Sequence, residues 1–157
     1  MRLVLFQPDI AQNAGTLFRL AACLDVPVDI IEPCGFHLDD RRLRRAALDY
    51  LDALELTRHA SWQAYTDQRA EAGRGRLVLL TTRGEVPYTD FAFRTDDRLM
   101  VGRESAGVPE AVHRAADARL RIPIRPHLRS INVALAAAMV LGEALRQTAR
   151  QPGVRAP

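Results

Sequence analysis

The sequence predicts an α/β domain built on a mostly parallel β-sheet flanked by helices. Short apolar segments suited to strands alternate along the chain with segments whose apolar residues recur at helical spacing. Leu77-Val78-Leu79-Leu80 is wholly apolar, as a strand buried on both faces of a parallel sheet has to be. Glycine- and proline-bearing loops directly follow several strand segments, the places where open α/β sheets bind ligands.

Taken in order, Arg2–Phe6 reads as a short strand closed by Gln7-Pro8. Asn13-Ala14-Gly15 then opens an amphipathic helix through Leu17, Phe18, Leu20, Ala21 and Leu24, with Asn13 or Gln12 near its cap. Val26–Ile31 is a second strand, ended by Glu32-Pro33, and Leu38–Tyr50 turns from polar to helical. Ala53–Thr57 reads as a third strand, and Ser61–Ala70 as a helix capped by Ser61. Arg76–Thr81 is the clearest strand; a loop with Pro87 and Tyr88 leads to another at Arg98–Val101. Pro109–Arg114 is a short helix with proline in its first turn. Ala118–Ile124 is the last strand and Ser130–Thr148 the last helix. No repeat or long linker divides the chain, so residues 1–150 are expected to form one domain, with Gln151–Pro157 a fraying tail.

Composition narrows the class. With 157 residues, 48% of them hydrophobic and 26% charged, the chain has globular usage. Only four apolar residues follow Met1-Arg2, too few for a signal peptide core. The longest apolar run, Val133–Leu141, has nine residues, about half of a membrane span. A cytoplasmic protein with no membrane partner is expected. Cys23 and Cys34 match neither a redox pair nor a zinc set, and Cys23 is expected to be a buried free thiol. The four histidines have no ligand spacing, so no metal is expected. Net charge is +3, and all 22 basic residues are arginine. Codon usage in a GC-rich genome is one reading of that bias. Either way, guanidinium forks grip phosphate and stack on bases, which suits an RNA partner.

Three stretches carry candidate chemistry. Asn13–Arg19 holds Gly15 at a helix start, where a ligand or another backbone can come close, and Arg19 one turn on. It reads equally as an ordinary strand–loop–helix. Gly102–Gly107 brackets Glu104 between two glycines at a strand end. A carboxylate there disfavours a dinucleotide and suits a cationic ligand or a ribose hydroxyl; the spacing also misses the G-x-G-x-x-G fingerprint. Ile122–Asn132 is stiffened by Pro123 and Pro126 and made cationic by Arg125 and Arg129. Ser130 is placed there as a helix N-cap, and the Asn132 amide could hold a substrate hydroxyl.

Together and in this order, the stretches resemble the SPOUT-class RNA ribose methyltransferases. The matching motifs are N-x-G-x-x-x-R at Asn13–Arg19, G-x-E-x-x-G-V-P at Gly102–Pro109, and Ile122-Pro123 followed by Ser130–Asn132. Ile31-Glu32-Pro33, Gly35-Phe36 and Asp39 through Tyr50 are similar to the small enzymes that methylate the wobble nucleotide of tRNA. The resemblance spans Arg2 to about Gln147. It implies a C-terminal trefoil knot, a homodimer, and S-adenosylmethionine bound in the knot. By position it assigns Leu80, Thr81, Gly102, Glu104, Ile122, Ser130 and Ile131 to the cofactor, and Asn13, Arg19, Glu104, Ser130 and Asn132 to the ribose.

The resemblance also favours Arg19 as the group that activates the hydroxyl. A guanidinium with pKa above about 12 is a poor base, so Arg19 is better read as holding the adjacent phosphate and the nascent alkoxide. Arg41, Arg44, Arg45 and Arg129 are candidate RNA contacts, and the run Arg41–Arg45 reads equally as a solvated face paired with Asp39 and Asp40. Ala14 and Thr16, and Val133-Ala134-Leu135, depart from the polar residues usual at those places. The expected activity is methyl transfer to the 2′-hydroxyl of the wobble cytidine or uridine of tRNA. Alternatives are another tRNA or rRNA site, or a non-catalytic RNA-binding module.

Overall fold

The computed structural model describes residues 1–38, 41–71, 73 and 75–148, without the side chains at 42, 44, 46, 48 and 49. The expectations for Asp39, Asp40, the Arg44 side chain and the tail therefore lie outside the described residues. In chain order the elements are β1 (Arg2–Phe6), α1 (Ala11–Cys23), β2 (Val28–Ile31) and α2 (Arg41–Ala47), which runs into a 3-10 helix at Leu48–Ala53. Then come β3 (Leu56–His59), α3 (Trp62–Glu71), β4 (Leu77–Leu80), β5 (Val86–Pro87) and β6 (Arg98–Val101). The last three are α4 (Glu110–Ala115), β7 (Ala118–Arg121) and α5 (Val133–Gln147).

Among the described residues the strands form one seven-stranded sheet in the order β3-β2-β1-β6-β4-β7-β5. Each of its pairings is parallel. Leu5 is in register with Ile30 and Val101, and Leu80 with Val101 and Leu120. The strand ends thus line up, and the loops after them leave from one edge.

Side-chain alternation divides the core between the two faces of the sheet. Leu3, Leu5, Val28, Ile30, Leu99 and Val101 pack with Phe18 of α1 and Val140 and Leu141 of α5. Val4, Phe6, Ile31, Leu77, Leu79 and Met100 pack with Tyr65 of α3 and Val112 of α4. On the α3 side, β2 also buries a charge. The Asp29 carboxylate, 2% exposed, accepts Nε and Nη2 of Arg2 at 3.0 and 3.1 Å and Nη1 of Arg98 at 3.4 Å. His59 Nε2 lies 3.2 Å from its other oxygen, and that ring meets Tyr65 edge-on.

Several boundaries differ from the sequence expectation. Helix α1 starts at Ala11 behind an extended Ile10, with no side-chain cap, because the Asn13 amide is engaged by distant residues instead. Cys23 is exposed rather than buried. The buried face of α1 runs through Ala11, Ala14, Leu17, Phe18 and Ala21, and two residues beyond Ala21 is about 200° around the helix. Ser61 does cap α3, accepting the Ala64 N–H at 3.1 Å. Ser130 does not cap α5; Asn132 does, accepting the N–H groups of Ala134 and Leu135 at 2.9 and 3.3 Å. The third strand is displaced to Leu56–His59 because Leu48–Ala53 coil first. Strand β5 was legible only as a loop: two residues carry no periodicity, and its proline fits an edge. Strand β7 ends at Arg121, ahead of Pro123 and Pro126.

Among the described residues, no helix is long and apolar enough to cross a membrane. No group of three or more His, Cys, Asp or Glu is placed there to hold a metal ion.

Candidate active site

The order of the sheet changes direction between β1 and β6, and a crevice opens beyond strand ends at such a switch point. There the loops after β1, β4, β6 and β7 surround a cavity of about 460 Å³. Leu79, Leu80, Val101 and Val108 supply apolar walls, with Ile122, Ile124 and Ile131 from the segment after β7. Thr81, Gly102, Glu104, Ser130 and Asn132 bring polar groups to it, as does Asn13 from the first turn of α1.

The glycine loop is closed on itself. Arg103 N–H donates to Gly107 O at 3.1 Å and Gly107 N–H to Arg103 O at 2.8 Å. Gly107 has φ +65°, and a Cβ on Gly102 would lie 2.8 Å from the Gly107 carbonyl carbon. This tight turn carries Glu104 to the cavity wall.

Glu104 heads a chain of hydrogen bonds. Its Oε1 accepts Asn13 Nδ2 at 3.0 Å, and its Oε2 accepts the backbone N–H of Asp9 at 3.0 Å. Asn13 Oδ1 then accepts Asn132 Nδ2 at 3.0 Å, and Asn132 Oδ1 caps α5. Each amide is thereby fixed in orientation, since reversing one would set oxygen against oxygen. Asp9 returns the contact: its carboxylate accepts the Glu104 N–H at 3.1 Å and the Ser105 hydroxyl. The neighbouring Glu104 side chain, helped by the Ser105 hydroxyl and the Glu104 N–H, holds the Asp9 carboxyl down at about 2. Burial, with the Asp9 carboxylate beside it, raises the Glu104 carboxyl above its usual value.

All seven residues assigned to the cofactor by resemblance line this one cavity. Of the five assigned to the ribose, Asn13, Glu104, Ser130 and Asn132 line it; Arg19 does not. Arg19 is exposed on α1, its guanidinium 5.3 Å from the centre of the Tyr50 ring, rather than folded back over the start of that helix. Arg129 is at the cavity, while Arg41 and Arg45 are exposed one turn apart on α2. Sequence reasoning missed Asp9, which carries no motif of its own and meets Glu104 across 95 positions of chain.

Asn132→Ala is expected to destabilise the fold by about 1–2 kcal/mol, through loss of the α5 cap and of the Asn13 contact. Asn132→Asp keeps the cap and turns an oxygen toward Asn13. Denaturant unfolding should therefore recover most of the stability in Asn132→Asp.

Comparison with known proteins agrees with this geometry. Residues 1–142 match the SpoU rRNA Methylase family. A tRNA (cytidine(34)-2′-O)-methyltransferase of Beijerinckia indica subsp. indica is 63% identical over 145 residues, 92% of this chain and 90% of the relative. A solved structure described as giving structural insights into the 2-OH methylation of C/U34 on tRNA superposes with TM-score 0.88 at 39% identity, covering 93% of this chain and 94% of the other. The SpoU methyltransferase AviRb from Streptomyces viridochromogenes, in complex with the cofactor AdoMet, superposes with TM-score 0.83 at 26% identity, over 94% of this chain and 60% of AviRb. The chain belongs to the SpoU methylase family.

Proposed function

We propose that the protein transfers the methyl group of S-adenosylmethionine to the ribose 2′-hydroxyl of the wobble cytidine or uridine of tRNA. The observation that carries this reading is the union of Glu104, Asn13 and Asn132 in one oriented chain at the wall of the cavity. The relatives that the chain matches over nine-tenths of its length are named tRNA (cytidine(34)-2′-O)-methyltransferases.

The residues fit the cofactor. A cavity of about 460 Å³ lies within the usual range for small-molecule sites. Leu79, Val101 and Ile122 offer apolar surface for a purine, and Thr81 and Ser130 offer hydroxyls. Glu104 is the carboxylate at its wall, which favours a sulfonium cation over a phosphate. When bound, S-adenosylmethionine supplies an electrophilic methyl group on that sulfonium.

The chain's own residues then have positioning work. The Asn13–Asn132 pair is prepared to hold the ribose, its polarity set by Glu104. Arg19 is the substrate-side cation. It leaves the Tyr50 ring at small cost, about 0.5–1 kcal/mol at an exposed site, to hold a phosphate and the developing alkoxide. With the donor's methyl group supplied there, Asn13 and Asn132 would hold the ribose hydroxyl in line with it, and the hydroxyl proton would leave to water. Arg41, Arg44, Arg45 and Arg129 steer the RNA.

Two features of assembly belong to the same reading. The segment 122–132 lines the cavity together with the loops after β4 and β6, and α5 then packs on α1 and near β6; this is the support for a C-terminal trefoil knot within a single domain. Exposed Leu135 (61%) and Met139 (42%), one turn apart on α5, with Leu128 (64%) nearby in the chain, support a homodimer through that face. With tRNA as its partner, the enzyme works in the cytoplasm.

The test is to incubate the protein with labelled donor and bulk RNA and to map the label. Transfer to the wobble ribose of tRNA is expected. Label on rRNA, or no transfer where donor binds, overturns the reading.

A pH dependence follows from Glu104. Its ionised form accepts from both Asn13 and Asp9, and its pKa is raised above 4.5. Transfer should therefore be lost as pH falls through that raised value, before ordinary glutamates protonate. A rate profile flat down to pH 4.5 would contradict it.

A further inference from the structure

Asp9 lies one shell outside the cavity, yet three loops meet on it. It belongs to the loop after β1, and its carboxylate accepts the Glu104 N–H and the Ser105 hydroxyl from the loop after β6. Its own N–H donates back to Glu104 Oε2 at 3.0 Å. From the loop after β2, Gly35 N–H donates to Pro8 O at 2.9 Å, and a Cβ on Gly35 would sit 2.7 Å from the Asp9 Cα. Asp9 is thus held from one side by a backbone that tolerates no side chain and grips the glycine loop on the other.

We infer that Asp9 is a positioning residue for methyl transfer: its carboxylate clamps the 102–107 loop to the start of α1 and, through Glu104, sets the orientation of the Asn13 and Asn132 amides at the cavity. The inference rests on the reaction proposed above for its kinetic consequence, but the clamp itself is a property of the protein alone. Without the Asp9 carboxylate, the Glu104 N–H and the Ser105 hydroxyl lose their partners, and only the Asp9 N–H still ties the two loops through Glu104 Oε2. The 102–107 loop can then shift, and with it the carboxylate that orients the Asn13 and Asn132 amides.

The full chain carrying Asp9→Ala tests this in two measurements. In nitrogen–proton NMR spectra, the side-chain amide signals of Asn13 and Asn132, assigned with Asn13→Ala and Asn132→Ala, should shift or broaden. Backbone signals of α3, on the far face of the sheet, should stay in place, which a general loss of stability would not allow. In transfer assays kcat should fall about tenfold to a hundredfold with KM for tRNA nearly unchanged. Adding Asp9→Ala to Glu104→Gln should cost little more, because both act on one group. Ser105→Ala, which removes one contact of the clamp, should move the same amide signals less far, and serves if Asp9→Ala does not fold. Unmoved Asn13 and Asn132 signals, or fully additive losses of rate, overturn the inference. A wild-type protein that methylates no tRNA overturns the proposed function instead, and the amide signals then decide the clamp by themselves.

Discussion

Arg19→Ala is expected to lower methyl transfer to tRNA by a factor of about 10²–10³, the usual loss when one group that stabilises developing negative charge is removed. Affinity for S-adenosylmethionine should change by less than about threefold, under 1 kcal/mol, because Arg19 does not line the cavity. Calorimetry with the donor and single-turnover transfer separate the two effects. Arg19→Lys keeps the charge and loses the planar fork, so a partial recovery would mark Arg19 as a phosphate and alkoxide holder. Full activity in Arg19→Ala would exclude it from the reaction.

Asp29→Ala should have the largest effect on stability, about 3–5 kcal/mol, because it strips a buried anion from partners that stay charged. Arg98 has a side chain only 14% exposed and its guanidinium directed at Asp29. Arg2 retains Glu55 at 2.8 Å, and so loses less. For a domain of this size the midpoint of thermal unfolding should fall by about 10 °C. Since Asp29 is in β2 on the α3 side of the sheet and does not line the cavity, the folded fraction should still bind donor normally. A loss below about 1 kcal/mol would mean that water reaches the two arginines when Asp29 goes.

Much of the architecture was legible from pattern alone. The strands Arg2–Phe6 and Arg98–Val101 appear with the bounds expected, because apolar runs of three or four residues closed by Gln-Pro or glycine have few other uses. The Ser61 cap was legible because its partner is three residues away. The helix caps differ for a non-local reason. The pattern puts Asn13 or Gln12 near the cap of α1 and Ser130 at the cap of α5, yet the Asn13 amide is taken by Glu104 and Asn132, at separations of 91 and 119 positions. Local capping rules cannot register a competitor that arrives from another strand end. Cys23 is exposed for a plainer reason: it lies opposite the buried face that α1 presents through Leu17, Phe18 and Ala21.

The site divides in the same way. From sequence, the motifs at Asn13–Arg19, Gly102–Gly107 and Ile122–Asn132 supply the residue types, and the seven residues that the resemblance assigns to the cofactor are all among those lining the cavity. Each motif follows a strand, and parallel strands in register deliver such loops to one edge, so their meeting is a consequence of the fold class. Only the tertiary structure decided who orients whom. Asp9 came to grip Glu104, Glu104 to set Asn13, and Asn13 to hold the residue that starts α5. It also set Arg19 apart on Tyr50. Hydrogen-bond polarity depends on distances of about 3 Å between groups far apart in the chain, and no local pattern encodes those.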